Sequence, residues 1–340
     1  MNRSDLEAVA AALVAKDKGI LAADESTGTI KRRFEKIQLE STTENHRTYR
    51  EMLFTTPGAA QWISGVIMFD ETIRQKTREG VPFAQYLSQQ GVLPGIKVDE
   101  GAKPLAMFPG ETITEGLDGL RERLVEYYQL GARFAKWRGV IDIAEHIPTG
   151  FAIEANAQAL ARYAALCQEQ NVVPIVEPEV LMDGAHTIER CEEVTGEVLA
   201  AVFAQLREHR VYLEGMILKP NMVIAGKKCP TQASPEQVAA ATIRCLKRRV
   251  PAAVPGIAFL SGGQSPAQAT THLSLMNRQR GLPWQLSFSY GRALQDAALA
   301  AWGGKPASFA TGQREFQKWA RLNSLARSGG FQPGMEQQAA

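Results

Sequence analysis

The sequence lacks the residue patterns that usually hold structural metals or disulfide frameworks. Its 340 residues include only four cysteines and five histidines. The cysteines form no CxxC pair, and the histidines form neither an HxH nor an HExxH pattern. We therefore expect no metal site built from histidines, and we expect the reduced thiols of a cytoplasmic protein.

An excess of charge of one sign is also missing. Lysine and arginine total 38 and aspartate and glutamate 36, which gives a formal net charge of +2 at pH 7. Proteins that bind nucleic acids or membrane surfaces usually carry a clear positive excess. We expect neither partner, whereas a small anionic ligand needs only a few local cations.

Long apolar segments are absent as well. The first 19 residues mix a short apolar stretch with acidic and basic side chains, which is typical of an amphipathic helix and not of a signal peptide. Residues 250–277 carry no charge, but they contain prolines and paired glycines. That segment is not expected to span a membrane.

Eight short apolar runs recur along the chain, each closed by polar or charged residues and followed by a helical pattern. The runs are 19–26, 64–72, 94–101, 132–140, 172–180, 212–221, 256–265 and 284–293. Strands that alternate with helices predict a parallel sheet. The GxGxxG signature of an open dinucleotide-binding sheet is absent after the first run, which continues into ADESTG. We therefore predict an α/β fold, a single (β/α)8 TIM barrel over residues 1–328, with 329–340 as a mobile C-terminal tail.

Charged side chains gather where these runs end. Residues two apart on a strand share a side, and in a barrel the outer side packs on helices, so paired charges belong at the inner mouth. Barrel enzymes build their active sites at the carboxyl ends of the strands. The side chains expected to converge there are Asp24, Lys97, Lys136, Arg138, Glu177, Glu179 and Lys219.

Lys219 is the best candidate for a reactive amine. It follows the apolar residues Met216, Ile217 and Leu218 and is followed directly by Pro220. Burial and neighbouring positive charge both disfavour the ammonium form of a lysine. Lys219 is thus predicted to be neutral more often than an exposed lysine, although a surface lysine with a buried stem is the alternative.

A neutral amine can attack a ketone to give an iminium ion, which withdraws electrons and allows a carbon–carbon bond to break. Protons must move at several steps, and Glu177, close to Lys136 and Glu179, is predicted to act as acid and base. Lys97 and Lys136 are predicted to be ion-paired partners. A glutamate that only contacts a helix is the alternative for Glu177.

Two adjacent loops carry a phosphate-binding pattern. Ser261 and the N–H groups of Gly262 and Gly263 follow the seventh run, and Gly291 and Arg292 follow the eighth. Phosphate sites of TIM barrels commonly lie after strands seven and eight. A second anion site is predicted from three further residues, Ser26, Arg33 and Arg138.

Seven fragments in this order resemble the class I fructose-1,6-bisphosphate aldolases: LAADEST, GIKVD, FAKWR, PIVEPE, LKPNM, FLSGGQS and FSYGRAL. The similarity runs from about residue 5 to 328. It implies a lyase without metal or other cofactor that splits fructose 1,6-bisphosphate into dihydroxyacetone phosphate and glyceraldehyde 3-phosphate. It also implies a cytoplasmic, glycolytic homotetramer.

The resemblance assigns roles to single residues. Lys219 matches the Schiff-base lysine, Glu177 the general acid and base, and Asp24 the carboxylate that assists bond cleavage. Lys136 and Glu179 match its supporting charges. The residues that match substrate and phosphate contacts are Ser26, Thr29, Arg33, Lys97, Arg138, Ser261, Gly262 and Arg292. Gly263, Ser289 and Gly291 complete the predicted substrate- and phosphate-binding set.

One feature departs from the family pattern. Many members end in a tyrosine that helps proton exchange, whereas this sequence ends MEQQAA and its last tyrosine is Tyr290. Three rival functions also remain open at this point. They are another Schiff-base barrel enzyme such as a transaldolase, a metal-dependent aldolase, and a binding protein on a barrel that has lost catalysis.

Overall fold

The computed structural model describes residues 1–338. Eight parallel strands form a closed barrel, in the order β1-β2-β3-β6-β7-β8-β9-β10 and back to β1. Their bounds are β1 Gly19–Ala23, β2 Ile63–Met68, β3 Leu93–Lys97, β6 Phe134–Ile141, β7 Val173–Val180, β8 Ile217–Leu218, β9 Gly256–Phe259 and β10 Gln285–Tyr290. The predicted (β/α)8 barrel is confirmed, and each of the eight runs overlaps one strand of the barrel.

Helices surround the barrel and alternate with its strands. They are α1 Arg3–Leu13, α2 Thr27–Glu35, α3 Thr43–Phe54, α4 Asp70–Ile73, α5 Phe83–Gln89, α6 Leu120–Gln129, α7 Gly150–Glu169, α8 Ile188–Glu208, α9 Pro235–Arg249, α10 Pro266–Asn277, α11 Arg292–Trp302, α12 Phe309–Arg327 and α13 Met335–Gln338. Within residues 1–338, no helix has the length and apolar character needed to cross a membrane.

A short antiparallel hairpin follows β3 and was not predicted. It pairs β4, Ala102–Pro104, with β5, Thr112–Thr114. Each strand is only three residues long, and the intervening turn contains Pro109 and Gly110, so the sequence carries no alternating apolar pattern. Thr114 Oγ1 donates to the Arg138 carbonyl at 2.7 Å, which holds the hairpin against β6 beside the barrel mouth.

The amino ends of the strands are closed by apolar side chains. Leu6, Ala10 and Leu13 of α1 are buried against the inward residues of the barrel, among them Phe134 and Ile217. A hydrophobic helix face placed across the barrel removes this end from water, and it leaves the carboxyl ends as the open mouth.

Glycine makes room for the largest ring inside the barrel. A Cβ on Gly95 of β3 would lie 2.3 Å from ring atoms of Phe134 on the neighbouring β6. Phe134 itself is fully buried. The pair therefore fills the interior only because one of the two positions has no side chain.

The predicted tail begins in contact with the barrel. Phe331 is buried, and its carbonyl accepts hydrogen bonds from Ser274 Oγ at 2.9 Å and Arg278 Nη2 at 3.0 Å. These contacts fix the chain just beyond the predicted boundary at residue 328. The mobility of the tail stays a prediction, and its last two residues, 339 and 340, lie outside the described residues.

Candidate active site

A cluster of charged side chains lines a cavity of about 510 Å³ at the carboxyl ends of the strands. Every predicted site residue except Gly263 contributes to its wall. The wall consists of Ala22, Asp24, Glu25, Ser26, Thr29, Arg32, Arg33, Lys97, Asp99, Gly101, Ala102, Lys136, Arg138, Val140, Glu177, Glu179, Lys219, Leu260, Ser261, Gly262, Ser289, Gly291 and Arg292.

Strand register explains why charges from different strands meet. In the parallel pairing of β6 and β7, Arg138 lies opposite Glu177 and Val140 opposite Glu179. Lys136 lies two residues before Arg138, so it projects from the same side of its strand. The same alternation therefore points apolar side chains into the barrel at the amino ends of the strands and charged side chains into it at the carboxyl ends.

Lys219 directly follows the short strand β8 and is only 4% exposed. Its backbone N–H still donates to the Val176 carbonyl at 2.8 Å, so the residue is held in line with the strand. Its Nζ lies 3.2 Å from Glu177 Oε1. The amine is therefore removed from bulk water and lies next to one carboxyl group that can exchange protons with it.

Lys136 has a different environment, although it is equally buried. Its Nζ lies 2.9 Å from Asp24 Oδ2, 3.5 Å from Asp99 Oδ2 and 3.5 Å from Glu177 Oε2. Burial alone would lower the pKa of Lys136, but the three carboxylates outweigh it, so its pKa is raised well above the ordinary value. Lys136 therefore stays an ammonium ion.

Asp24 shows the opposite shift. Burial alone would raise the pKa of this carboxyl, but the charges of Lys136, Lys219 and Lys97 outweigh burial and hold its pKa well below the usual range. Asp24 is therefore ionised at neutral pH. An ionised carboxylate at this position can accept a hydrogen bond from a hydroxyl group of a ligand.

Two further ion pairs complete the inner wall. Lys97 Nζ lies 3.2 Å from Asp99 Oδ1, and Arg138 Nε donates a short hydrogen bond to Glu179 Oε2. Lys97 and Lys136 were both expected to be ion-paired, and both are. The Arg138 side chain remains 42% exposed, so its guanidinium is also open to the cavity.

The loops after β9 and β10 lie side by side at the rim, because β9 and β10 are hydrogen-bonded neighbours. Ser261 and Gly262 follow β9, while Gly291 and Arg292 follow β10, and all four line the cavity. Arg292 is the first residue of α11 and is exposed. Backbone N–H groups and a guanidinium thus face the same space, an arrangement that suits phosphate.

Gly263 lies beside this wall and not on it. Its φ is +76°, and a Cβ there would lie 2.0 Å from Met182 Cγ. The residue must therefore be glycine for two reasons, a left-handed backbone and a close neighbour. Its role in the loop is to turn the chain around Met182, a contact that the sequence did not indicate.

The second predicted anion site follows β1, the strand that pairs with β10. Ser26 Oγ donates to Thr29 Oγ1 at 3.2 Å, and Arg32 Nη2 donates to the same oxygen at 3.2 Å. Arg33 Nη1 pairs with Glu25 Oε1 at 2.5 Å. Hydroxyls from the start of α2 and two guanidiniums from its last turn therefore line the cavity together.

Four charged residues of this region were missed by the sequence analysis. Asp99 had a usable signal, since it lies two residues after Lys97. No sequence signal indicated Glu25 or Arg32, because the alternation of side chains along β1 ends at Ala23. Arg50, on α3, is 1% exposed and pairs with Glu25 Oε2 at 2.6 Å from behind the wall.

Within the described residues, no group of three histidine, cysteine, aspartate or glutamate side chains is arranged to hold a metal ion. The carboxylates of the cavity are instead neutralised by lysine and arginine. The chemistry that the arrangement supports is an amine flanked by proton donors and acceptors, with hydroxyls, backbone N–H groups and guanidiniums along the same wall.

The sequence matches the family model described as glycolytic, fructose-bisphosphate aldolase class-I, over residues 5–340. The chain belongs to the class I fructose-bisphosphate aldolase family. It is 59% identical over 330 residues to a probable fructose-bisphosphate aldolase class 1 of Xanthomonas campestris pv. campestris, covering 97% of this chain and 99% of that one. It is 53% identical to fructose-bisphosphate aldolase 4, cytosolic, of Arabidopsis thaliana, covering 96% of this chain and 84% of that protein.

A solved structure agrees with this membership. The fructose-bisphosphate aldolase of Plasmodium falciparum, in a complex with TRAP and a small-molecule inhibitor, superposes with a TM-score of 0.96 at 49% identity. The match covers 97% of this chain and 96% of that chain. The aldolase is therefore an aldehyde-lyase that reversibly cleaves fructose 1,6-bisphosphate to dihydroxyacetone phosphate and glyceraldehyde 3-phosphate.

Proposed function

We propose that this cleavage proceeds through a Schiff base on Lys219, without a metal ion. The observation that carries the proposal is the buried Lys219 amine 3.2 Å from Glu177, beside a second lysine held in its charged form. Three carboxylates hold Lys136 as an ammonium ion, which has no lone pair for attack, so Lys219 and not Lys136 is proposed as the nucleophile.

Glu177 is proposed to move the protons of imine formation. Its Oε1 faces Lys219 and its Oε2 faces Lys136. When the Lys219 amine attacks the ketone carbon, a hydroxyl group forms there and must leave as water. Glu177 can donate the proton that this hydroxyl needs and take it back when the imine is hydrolysed.

Asp24 is proposed to act on the bond that breaks. Cleavage requires the loss of a proton from the hydroxyl next to that bond, while the electrons move towards the iminium ion. Asp24 is ionised beside Lys136, so its carboxylate has lone pairs free to accept this proton. The aldehyde then leaves, and the enamine on Lys219 takes up a proton before hydrolysis.

The two anion sites are proposed to bind the two phosphates of the substrate. One comprises the loop at Ser261 and Gly262 with Arg292, and the other the Ser26, Thr29 and Arg33 side. Both line the cavity that contains Lys219. We expect a strong preference for fructose 1,6-bisphosphate over fructose 1-phosphate, and equal kcat/KM for the two would contradict the second site.

The cellular setting is also a proposal. The Arabidopsis relative is described as cytosolic, which supports a cytoplasmic enzyme here, and the family resemblance supports a homotetramer. Light scattering should give a mass four times the 37.2 kDa of one chain. A monomer or dimer at micromolar concentration would contradict the tetramer without affecting the mechanism.

Oxygen exchange tests the Schiff base directly. Imine formation expels the carbonyl oxygen as water, so dihydroxyacetone phosphate labelled with ¹⁸O at its carbonyl should lose the label to solvent when the enzyme is added. Lys219→Met should abolish the enzyme-dependent part, and EDTA should leave it unchanged. Cleavage without exchange, or cleavage lost to EDTA and restored by zinc, would overturn the proposal.

A further inference from the structure

A second cluster of catalytic-type side chains lies outside the aldolase cavity, between the start of α3 and the start of α4. Ser41 Oγ is 2.8 Å from His46 Nε2, and His46 Nδ1 is 2.9 Å from Glu71 Oε1. None of the three residues lines the aldolase cavity. The cleavage reaction therefore gives this cluster no role.

The chemistry of the partners fixes the direction of both hydrogen bonds. Ionised Glu71 can only accept, so a neutral His46 ring must carry its proton on Nδ1. Nε2 then has a lone pair, and the Ser41 hydroxyl donates to it. This is the order of roles found in serine hydrolases, where a carboxylate orients an imidazole that takes the proton of a serine.

Packing holds the imidazole in this orientation while the serine remains reachable. His46 is 3% exposed, and its ring lies 5.7 Å from that of Phe34 at an angle of 55°. Ser41 is half-buried in the loop before α3, and the Glu71 side chain is 29% exposed. A buried base behind a partly exposed hydroxyl is the arrangement that a nucleophilic serine requires.

The start of α3 adds donors close to the serine in sequence. The first N–H groups of a helix have no acceptor within the helix. In the described part of the chain, those of Thr43 and Glu44 have no other acceptor either. Such groups stabilise negative charge, including the oxyanion that forms during acyl transfer.

We infer that Ser41, His46 and Glu71 form a second reactive centre, at which activated carboxylic esters acylate Ser41. Ser41 Oγ bonds to the ester carbonyl carbon while His46 Nε2 takes the hydroxyl proton. The intermediate then collapses and breaks the bond to the alcohol oxygen, which leaves with that proton. Water repeats the two steps on the acyl-serine and releases the carboxylic acid.

A fluorophosphonate probe and p-nitrophenyl acetate test the inference on the whole enzyme. We expect one equivalent of probe on the peptide that contains Ser41, and a burst of one equivalent of p-nitrophenol per chain. Ser41→Ala should abolish both and leave fructose 1,6-bisphosphate cleavage within twofold of the wild type. His46→Gln should slow labelling by roughly 100-fold or more, because the general base is lost.

Two comparisons separate reactivity from a structural role. Ser328→Ala removes an exposed hydroxyl that donates to the Leu325 carbonyl, and it should not change labelling. Glu71→Gln should slow labelling because an amide can stabilise the wrong imidazole tautomer. Cleavage activity verifies that each variant is folded. An unlabelled Ser41 in the wild type, or His46→Gln labelled at the wild-type rate, would overturn the inference.

Discussion

On three strands of the barrel, an apolar inward residue and a charged inward residue are separated by only two positions. Phe134, Ile175 and Ile217 are buried in the apolar cluster at the amino ends. Lys136, Glu177 and Lys219 follow each of them by two positions and line the open cavity. Both sets point into the barrel. The residues that stabilise the fold therefore differ from those that react in their position along the barrel axis, and not in the face of the strand from which they project.

The comparison indicates how the barrel tolerates buried charge. Buried ion pairs add little stability, because the loss of hydration offsets their attraction. The apolar layer below them carries the hydrophobic stabilisation instead. Substitutions in the two layers should therefore have separate consequences, one set for activity and the other for stability.

The largest effect is expected in the reactive layer. Lys219→Met should lower kcat for fructose 1,6-bisphosphate by roughly 10⁵-fold or more, since it removes a covalent nucleophile. Its free energy of unfolding should not fall, because an apolar side chain replaces a buried charge. Lys227→Met, which alters an exposed lysine paired with Asp183, is the control and should keep full activity.

The next effect belongs to the apolar layer. Phe134→Ala should lower the free energy of unfolding by about 3–5 kcal/mol, the usual cost of a cavity left by a buried ring. At a temperature where the variant is still folded, kcat should stay within severalfold of the wild type. Denaturant unfolding and steady-state kinetics on one sample would check both. A variant that is stable but inactive would refute the division between layers.

The rim should show a smaller effect, confined to binding. Arg292→Met should raise KM for fructose 1,6-bisphosphate roughly 10- to 100-fold, as expected for losing hydrogen bonds to a charged group. Arg292→Lys keeps the positive charge but loses the planar guanidinium, so its KM should lie between those of the wild type and Arg292→Met. An unchanged KM in Arg292→Met would remove Arg292 from the phosphate site.

The smallest effect is a pH dependence of stability. Because the folded protein holds the pKa of Asp24 below its ordinary value of 3.8, this carboxylate stabilises the fold above pH 3.8, and the contribution is lost as pH falls below it. Asp24→Asn should make the acid side of the stability curve shallower by at most about 1.4 kcal/mol per pH unit. Identical slopes in the two proteins would contradict the ion pair with Lys136.

The sequence predicted most of the barrel because regular strands repeat a simple pattern. Alternation was sufficient to orient Lys136, Arg138 and Glu177 before any coordinates. It did not orient Glu25, because the strand stops at Ala23 and the chain then enters α2. Arg50 reaches the site from an outer helix, and no local pattern predicts such a contact.

Trapping the imine is the measurement that tests the central claim most directly. Borohydride reduces an iminium ion to a stable secondary amine, so dihydroxyacetone phosphate and borohydride together should leave one covalent adduct on the enzyme. Peptide mapping should find it on Lys219, and the Lys219→Met variant should carry none. An adduct on Lys136 in the wild-type enzyme, or no adduct under turnover conditions, would contradict the account.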